Sequence, residues 1–543
     1  MKNRSFFVAG ALLLASLFTT SCKEFMSNLD EPVKSYMQID NTDVVLSPGQ
    51  EITRVATTIS TEGVEYESSA PEVATVDSKT GKVTAVAIGE TTITASVKAN
   101  DYYMAGTQSY KVKVLSITLN KTEAPIGIDG YQALTATILP ADAFGYELKW
   151  NSDNEKVATV SETGDVKAIA EGTANITAEI AGIKAVCALT TKDKVDLSTL
   201  TGVYVAEDGD VLTGVAGGTT DYIYVGIPAG ASVTFSDATV YGYVYCSGDA
   251  AVFLAEGTNN TIYGRNNTAL KVGPESTTLT IKGKGQMNVY GDAWGNNYLA
   301  AGIGTSTGQL GGNLIIEDGI INAYGSYAAA IGSNSAGSTM GDITIKGGTV
   351  TATQQKNAGS GIGSGMVYSG ESHCGNITIS GGTVVAYGGY VGAGIGAGGL
   401  YWDNHDYACS CGNITIIGGN VTAYGGDYAA GIGTGIKFNS GYTNTPVCGD
   451  ITISGGTVVA TKGNYALYDV GPGEYSGNTG IWTGQVGTVN VSVAVKDYYG
   501  NDATIYTPEA ASAPSRRANV GNIPLPSAPD SDVQPKIGKS LRQ

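Results

Sequence analysis

Charged and basic side chains are scarce in this sequence of 543 residues, and their scarcity excludes several classes of function. Asp, Glu, Lys and Arg make up 15% of the chain, and 49 acidic against 31 basic residues leave a net charge of -18. Because nucleic acid phosphates are bound by basic surfaces, the charge argues against a nucleic-acid partner. Histidine occurs only at His373 and His405, which nearly excludes catalysis or metal binding built on several histidines.

The residues that are abundant favour short strands and tight turns. The sequence contains 77 Gly and 32 Tyr but only 8 Phe, and hydrophobic residues make up 42%, which excludes a wholly disordered chain. Gly recurs at short intervals along the chain, and Thr, Val and Tyr are frequent in the segments between the glycines. No segment after residue 22 is apolar enough to span a membrane. The composition therefore predicts an all-β protein of several domains.

The first 22 residues have the organisation of an export signal. Lys2 and Arg4 precede an apolar run over residues 6–18, which is too short to span a bilayer as a helix. The run is soon followed by Cys22, and this arrangement resembles a bacterial lipoprotein signal peptide. The resemblance implies removal of residues 1–21, lipidation of Cys22 and an outer-membrane lipoprotein that faces the cell surface. A secretory signal that is cut elsewhere is the alternative.

Residues 39–191 contain two copies of one sequence pattern, which lie about 84 residues apart. The first copy has the runs SAPEVATV, GKVTA and GETTITA, and the second has KVATV, GDVKA and GTANITA in the same order. Alternating apolar and polar residues between turns predict short antiparallel strands. The runs resemble the group 2 bacterial Ig-like domain. This resemblance implies two β-sandwiches, at residues 39–115 and 116–195, that serve as spacer or adhesion modules after a linker at residues 22–38.

A second repeat follows, and each of its blocks begins with Gly and then Asn or Asp. The blocks start at residues 312, 341, 375, 412 and 449, at spacings of 29, 34, 37 and 37 residues. Each block holds three short strand candidates and no helical segment, which predicts one coil of a parallel β-helix. Propeller blades need four strands over about 40 residues and fit these spacings poorly. Strand alternation predicts that five side chains of one coil point inward: Ile377, Ile379, Val384, Ala386 and Ile395.

The β-helix is expected to extend over residues 196–507, with a disordered tail at residues 508–543. The run LTIKGKGQMNVYG at residues 279–291 shows the same pattern in an earlier coil. It resembles the β-helix of a surface carbohydrate-binding family related in shape to pectate lyases. This resemblance implies that the β-helix binds a polysaccharide or another glycan.

Two groups of aromatic and polar residues are predicted to bind the ligand. One is an outward column at the end of the second strand of each coil, in which Tyr324, Tyr387 and Tyr424 recur. The other is a loop that contains Tyr401, Trp402, Asp403 and Asn404. Aromatic faces stack on the apolar faces of sugars, and a row of them suits an extended glycan. The alternatives are a structural stack of rings and a merely solvated loop.

The remaining polar columns are assigned no metal or cofactor. Asn and Asp begin each block and are expected to stabilise turns through bonds from side chain to backbone. Calcium, which needs several converging oxygens, is the weaker alternative for this column. Cys374, Cys411 and Cys448 occupy equivalent positions in successive coils, so they are candidates either for a disulfide, with Cys409 as a further partner, or for a stack of free thiols.

Together these features favour a surface-anchored, non-catalytic glycan-binding protein, whose Ig-like spacers hold the β-helix away from the membrane. Residues 196–490 contain seven Lys and one Arg against twenty Asp and Glu, a net charge of 8 - 20 = -12. The acidic surface favours neutral glycans. One alternative is an adhesin or structural surface protein that binds a protein partner. A second is a β-helix polysaccharide lyase or hydrolase, whose paired carboxylates would come from separate coils.

Overall fold

The computed structural model of the protein describes residues 32–218, 221–291, 299–335, 337–355, 358–366, 370–400, 407–437, 444–477 and 480–507. These residues form β-strands joined by turns, with two short 3-10 helices at Ala143–Gly145 and Leu197–Thr199. The predicted all-β fold is confirmed. Within the described ranges, the structure holds no helix with the length and apolarity that crossing a bilayer requires.

The described chain forms two compact units. The first comprises the described residues up to Thr122 together with Thr135–Asn151 and Ile176–Cys187. The second comprises Glu123–Leu134, Ser152–Asn175 and the described residues from Ala188 onward.

The first unit contains a β-sandwich with two antiparallel-rich sheets. One sheet has the strand order Val44–Leu46, Gly106–Val114, Gly89–Val97, Glu65–Ser68, and the other has the order Glu51–Thr53, Lys82–Ala85, Ala74–Val76. Val83 and Ala85 of one sheet pack with Ile93 and Val112 of the other in a buried core. The unit also contains an antiparallel pair formed by Ser116–Leu119 and Ala136–Leu139.

The second unit begins with the remaining strands of the second Ig-like module. Tyr131–Ala133, Asp165–Ala168 and Ala158–Val160 form an antiparallel sheet, and Glu123–Gly127 pairs in parallel with the end of Ile183–Lys192. Hydrogen bonds join the first of these strands to the β-helix, because the side chain of Gln132 donates to Ser232 Oγ at 3.0 Å. Ion pairs add to these contacts, since Lys282 Nζ lies 2.9 Å from Asp165 Oδ1.

The rest of the second unit is a parallel β-helix, in which each strand pairs with its equivalent one coil away. The first ladder contains Val195–Asp196, Val211–Ala216, Ser232–Cys246, Ala250–Leu254, Thr278–Gly283, Asn313–Ile316, Ile343–Ile345, Ile377–Ile379, Ile414–Tyr424, Ile451–Thr461 and Val489–Val491. The second ladder contains Asn259–Tyr263, Gln286–Tyr290, Ile320–Gly325, Thr349–Gln354, Thr383–Tyr387 and Val495–Lys496, with later parts of the long strands.

Two shorter ladders complete the coils. The third ladder contains Val203–Val205, Ile223–Ile227, the end of Ser232–Cys246, Leu270–Lys271, Ile303–Gly304, Ile331–Gly332, Ile362–Gly363, Ile395–Gly396, Ile432–Gly433 and Val470–Gly471. The fourth ladder contains Ser338–Met340, Ser372–Cys374, Cys409–Cys411, Val447–Cys448 and Gln485–Val486. An antiparallel hairpin joins Glu474–Gly477 to Gly480–Thr483.

In the described coils the interior is mainly apolar, although some Ser, Thr and Asn side chains are buried as well. The predicted inward positions are confirmed, because all five predicted side chains, from Ile377 to Ile395, are fully buried. The fourth ladder differs from the expected three strands per coil. Its strands are two or three residues long, too short for the alternation of apolar and polar residues that reveals a strand in sequence.

Six strands of the third ladder end in a glycine with a positive φ: Gly304, Gly332, Gly363, Gly396, Gly433 and Gly471. Each has a φ between +131° and +157°, a region that side chains with a Cβ disfavour. A Cβ on Gly396 would overlap the carbonyl oxygen of Gly433 in the next coil. From Gly304 to Gly433, the repeated Ile-Gly pair therefore places a buried side chain next to a close contact between backbones.

Candidate functional site

The predicted tyrosine column exists, and its rings stack on one another. Tyr241, Tyr263, Tyr290 and Tyr324 lie in register along the second ladder. Their ring centroids are 5.0, 5.2 and 4.6 Å apart, with interplanar angles of 21°, 15° and 2°. We call this set, together with Tyr387 and Tyr424, the tyrosine ladder.

The tyrosine ladder is interrupted once. Thr353 separates Tyr324 from Tyr387, and beyond it Tyr387 and Tyr424 stack at 4.9 Å. Burial raises the pKa of Tyr290 and Tyr424 to about 12, and it also raises the pKa of Tyr387. Because stacked faces contact each other, a ligand at this column meets mainly ring edges and hydroxyl groups. Glycan binding by Tyr324, Tyr387 and Tyr424 stays a prediction.

The other predicted site residues cannot be placed. Tyr401, Trp402, Asp403 and Asn404 lie outside the described residues, as does Cys22. Their roles in glycan binding and in lipidation stay predictions.

The Asn and Asp column forms bonds from side chain to backbone, as expected, and these bonds run to the neighbouring coil. Asn313 Oδ1 accepts from Asp342 N at 2.8 Å, and Asp342 Oδ1 accepts from Asn376 N at 2.7 Å. The same bond recurs from Asn413 N to Asn376 Oδ1 and from Asp450 N to Asn413 Oδ1. Among the described residues, no group of three or more His, Cys, Asp or Glu side chains is placed to hold a metal ion.

The cysteine column contains one disulfide. Cys374, Cys411 and Cys448 are in register along the fourth ladder, and the bond joins Cys411 to Cys448. Cys374 and Cys409 are buried free thiols. Burial raises the pKa of Cys409 to about 11, which disfavours its reactive thiolate.

A cleft of about 480 Å³, which was not predicted from the sequence, opens on the third ladder. Its floor is formed by outward side chains of neighbouring strands, where Tyr224 pairs with Tyr243 and Tyr245 pairs with Lys271. We call it the Lys271 cleft. Its lining residues are Val203, Tyr224, Tyr243, Tyr245, Cys246, Lys271, Val272, Gly273, Pro274, Thr305, Gln309, Leu310 and Gly311.

Rings and a glycine shape the floor of the Lys271 cleft. Tyr224 and Tyr243 stack with ring centroids 4.2 Å apart, and Tyr245 is tilted by 60° relative to Tyr243. Tyr245 lies against Gly226, where a Cβ would come within 2.6 Å of its hydroxyl oxygen. The glycine therefore makes the space that the tyrosine ring occupies.

Backbone hydrogen bonds hold the wall of the Lys271 cleft in place. Gly311 N donates to Thr339 O at 2.7 Å, and Thr339 N donates to Gln309 O at 3.1 Å. Leu310, which lies between these anchored residues, is 56% exposed. The cleft thus combines a fixed apolar wall with an aromatic floor, which is the usual composition of a small-ligand site.

Lys271 supplies the one cationic group among the residues that line this cleft. Its Nζ lies 3.5 Å from the centroid of the Tyr243 ring, which is a cation–π contact. Burial lowers the pKa of Lys271 to about 8. Burial raises the pKa of Tyr243 and raises that of Cys246 to about 12, so these two groups stay neutral at pH 7.

A second polar cluster lies on the outward face of the fourth ladder. His373 and Ser410 are in register, and His373 Nδ1 lies 2.7 Å from Ser410 Oγ. His373 Nε2 lies 3.1 Å from Glu371 Oε2. The three side chains form a hydrogen-bonded chain of hydroxyl, imidazole and carboxylate. No local sequence pattern indicates this chain, because Ser410 and His373 lie 37 residues apart, in different coils.

Two domain families match segments of the chain. The bacterial Ig-like domain of group 2 matches residues 33–103 and 113–181, and the β-helix repeat matches residues 343–366, 377–399, 414–436 and 451–477. The chain carries two bacterial Ig-like domains and a β-helix repeat region. The two fold resemblances are therefore confirmed, whereas the lipoprotein signal and the carbohydrate-binding family stay predictions.

Similar proteins cover only part of this chain. An uncharacterized protein of Clostridium acetobutylicum is 32% identical over 122 residues, which are 22% of this chain and 12% of that protein. A 282-residue fragment of intimin, solved with the intimin-binding domain of its translocated receptor, is 19% identical. Its TM-score is 0.23, and the match covers 29% of this chain and 63% of the fragment. The surface-layer protein SbsC is 18% identical, with a TM-score of 0.14 and coverage of 30% and 29%. These structural scores carry no argument about function.

Proposed function

We propose that this protein is a non-catalytic glycan-binding protein on the surface of a bacterial outer membrane. A lipid on Cys22 anchors it, the two Ig-like domains act as spacers, and the Lys271 cleft binds the glycan. The composition of this cleft carries the proposal. A volume of about 480 Å³ lies within the range of small-ligand sites, and three tyrosines with an ammonium group are the kinds of group that hold a sugar ring.

The mode of binding follows from the groups that line the cleft. Tyr245 and Leu310 present apolar surface to one face of a sugar ring, while Gln309 offers a hydrogen-bonding side chain. Because the wall is already anchored to Thr339, binding orders little of the protein. Weak contacts at such a cleft gain strength when many surface copies engage one polysaccharide.

A glycan array on the purified chain, with calcium and with chelator, identifies the ligand. We then expect the Tyr245→Ala variant to bind that glycan at least about tenfold more weakly, about 1.4 kcal/mol, with an unchanged melting temperature. Calorimetric titration measures the affinity. The matched control is Tyr387→Ala, which makes the same substitution in the tyrosine ladder.

Three results would overturn the placement of the glycan in the Lys271 cleft. If Tyr387→Ala loses the glycan while its melting temperature is unchanged, the ligand lies on the tyrosine ladder. If neither variant weakens binding, the glycan lies elsewhere. A blank array under both calcium conditions would favour an adhesin that binds a protein partner.

Ester hydrolysis is a second candidate, favoured by the chain of Ser410, His373 and Glu371. In that reaction His373 Nδ1 accepts the Ser410 proton as Oγ attacks an ester carbonyl, and the alcohol leaves with this proton. Water then hydrolyses the acyl-serine and restores the hydroxyl group. Hydrolysis ranks second because Glu371 is 60% exposed in its side chain, so water screens its charge.

Turnover of p-nitrophenyl acetate tests the second candidate. If Ser410 is a nucleophile, the purified chain hydrolyses this ester faster than buffer does, and Ser410→Ala abolishes the excess. The control is Thr378→Ala, which removes a hydroxyl group from another strand of the β-helix. A rate equal to that of buffer, or a Ser410→Ala variant with full activity, would exclude the serine mechanism.

A further inference from the structure

Lys271 has an aromatic partner but no acidic one. The ammonium group of Lys271 makes a cation–π contact with the ring of Tyr243. Among the described residues, no carboxylate lies within ion-pair distance of its Nζ. Asp and Glu do not occur among the described residues that line the cleft. A partly buried ammonium without an anion is energetically unfavourable, because burial removes water without providing an opposite charge.

Lys282 provides an internal comparison one coil away. Its side chain is also largely buried, but its Nζ lies 2.9 Å from Asp165 Oδ1 and 3.2 Å from Glu317 Oε2. Burial opposes the charge of Lys282, yet these two carboxylates raise its pKa overall. Among the described residues, the chain therefore supplies anions to one buried lysine and none to the neighbouring one, which lies in a cleft.

The ammonium group of Lys271 lies in a region of the chain that is acidic overall. Residues 196–490 contain twenty acidic and eight basic residues, so most of this surface repels anions. In the Lys271 cleft the balance is reversed, because the described residues that line it comprise one cation and neutral groups. The other titratable groups that line the cleft are Tyr224, Tyr243, Tyr245 and Cys246.

We propose that the Lys271 cleft selects an acidic saccharide, whose carboxylate pairs with the ammonium of Lys271 while Tyr245 and Leu310 contact the sugar ring. This inference rests on the proposed function and adds the ligand class to it. It replaces the expectation of a neutral glycan, which was based on the charge of the whole β-helix. The local groups decide because ionic screening limits the reach of distant charges to about 10 Å at 0.1 M salt.

Calorimetric titration with a matched pair of sugars tests the inference. The probes are a disaccharide that ends in glucuronate and the same disaccharide with glucose in place of the glucuronate. We expect the acidic disaccharide to bind at least about tenfold more tightly, about 1.4 kcal/mol. Lys271→Met should remove this preference, and Lys271→Arg should keep it. The control Lys284→Met, which removes an exposed lysine of a neighbouring coil, should leave it unchanged.

The pH profile separates a charge effect from a change in shape. Lys271 loses its proton as the pH rises above about 8, so the preference of the native chain should fall between pH 7 and pH 9.5. Arginine stays protonated throughout this range, so the preference of Lys271→Arg should stay constant. Melting temperatures, measured in parallel, show that each variant is folded.

The outcomes separate this inference from the proposed function. If both sugars bind equally and Tyr245→Ala weakens both, the glycan site stands and selection by Lys271 is wrong. If the acidic sugar is preferred and Lys271→Met keeps the preference, another group recognises the carboxylate. If neither sugar binds and the glycan array is blank, the proposed function itself fails.

Discussion

Replacing Gly396 with Ala is expected to lower the free energy of unfolding of the β-helix by about 4 kcal/mol. The φ of Gly396 is +131°, and an added Cβ would overlap the carbonyl oxygen of Gly433. The Cβ is bonded directly to the backbone of one coil and the oxygen belongs to the backbone of the next, so neither can move aside without disturbing the ladder. Because each coil contacts mainly its neighbours, a local break weakens the stacking on both sides.

Urea unfolding followed by circular dichroism measures the effect of Gly396→Ala. The matched control is Gly218→Ala, because a Cβ at Gly218 meets no atom within 4 Å. We expect the control to change the free energy of unfolding by less than about 0.5 kcal/mol. Equal stabilities for Gly396→Ala and the native chain would show that the third ladder tolerates a side chain at this position.

The parts of the fold that could be predicted are those that produce a local, repeated pattern in the sequence. Ile377 and Ile379 alternate with polar residues, and the same alternation recurs in the following blocks, so the inward faces follow from periodicity alone. The tyrosine column could be aligned for a similar reason, since the blocks that contain Tyr387 and Tyr424 have nearly equal lengths. In these coils the distance along the sequence fixes the register.

The Lys271 cleft could not be predicted, because the coils that form it do not show the regular sequence repeat of the later coils. Tyr245 pairs with Lys271 across one coil, and Leu310 reaches the same cleft from the next loop. Unequal loops conceal these registers in the sequence. One local signal exists: Tyr241, Tyr243 and Tyr245 alternate with small residues, which marks an aromatic outward face. The sequence does not show that a lysine and a loop complete this face as a cleft.

Composition alone did not decide which two residues of the cysteine column form the disulfide. Cys411 lies between Cys374 and Cys448 in register, so either neighbour is one coil away. The structure joins Cys411 to Cys448 and leaves Cys374 free. Cys409 lies apart from this choice, since its Sγ lies 3.2 Å from Ser364 Oγ and 3.4 Å from Gly365 O.

Removing both Cys448 and Cys374 is expected to lower the free energy of unfolding by about 3 kcal/mol. The native disulfide closes a loop across 37 residues, and a cross-link of this span restricts the unfolded chain by about 3–4 kcal/mol. The single variant Cys448→Ala should lose less stability, because Cys374 can pair with Cys411 from the opposite side. Peptide mapping by mass spectrometry should then find a Cys374–Cys411 bond.

The control for this prediction is Cys374→Ala, which keeps the native disulfide and loses only the packing of one buried thiol. Urea unfolding without reductant compares it with the double variant Cys374→Ala/Cys448→Ala. If the two unfold at the same urea concentration, the disulfide adds nothing to stability, and the stacked coils alone hold the fourth ladder together. If Cys448→Ala shows only free thiols, neighbouring register is not sufficient for a bond, and the native pairing is selected by the geometry of the coil that contains Cys448.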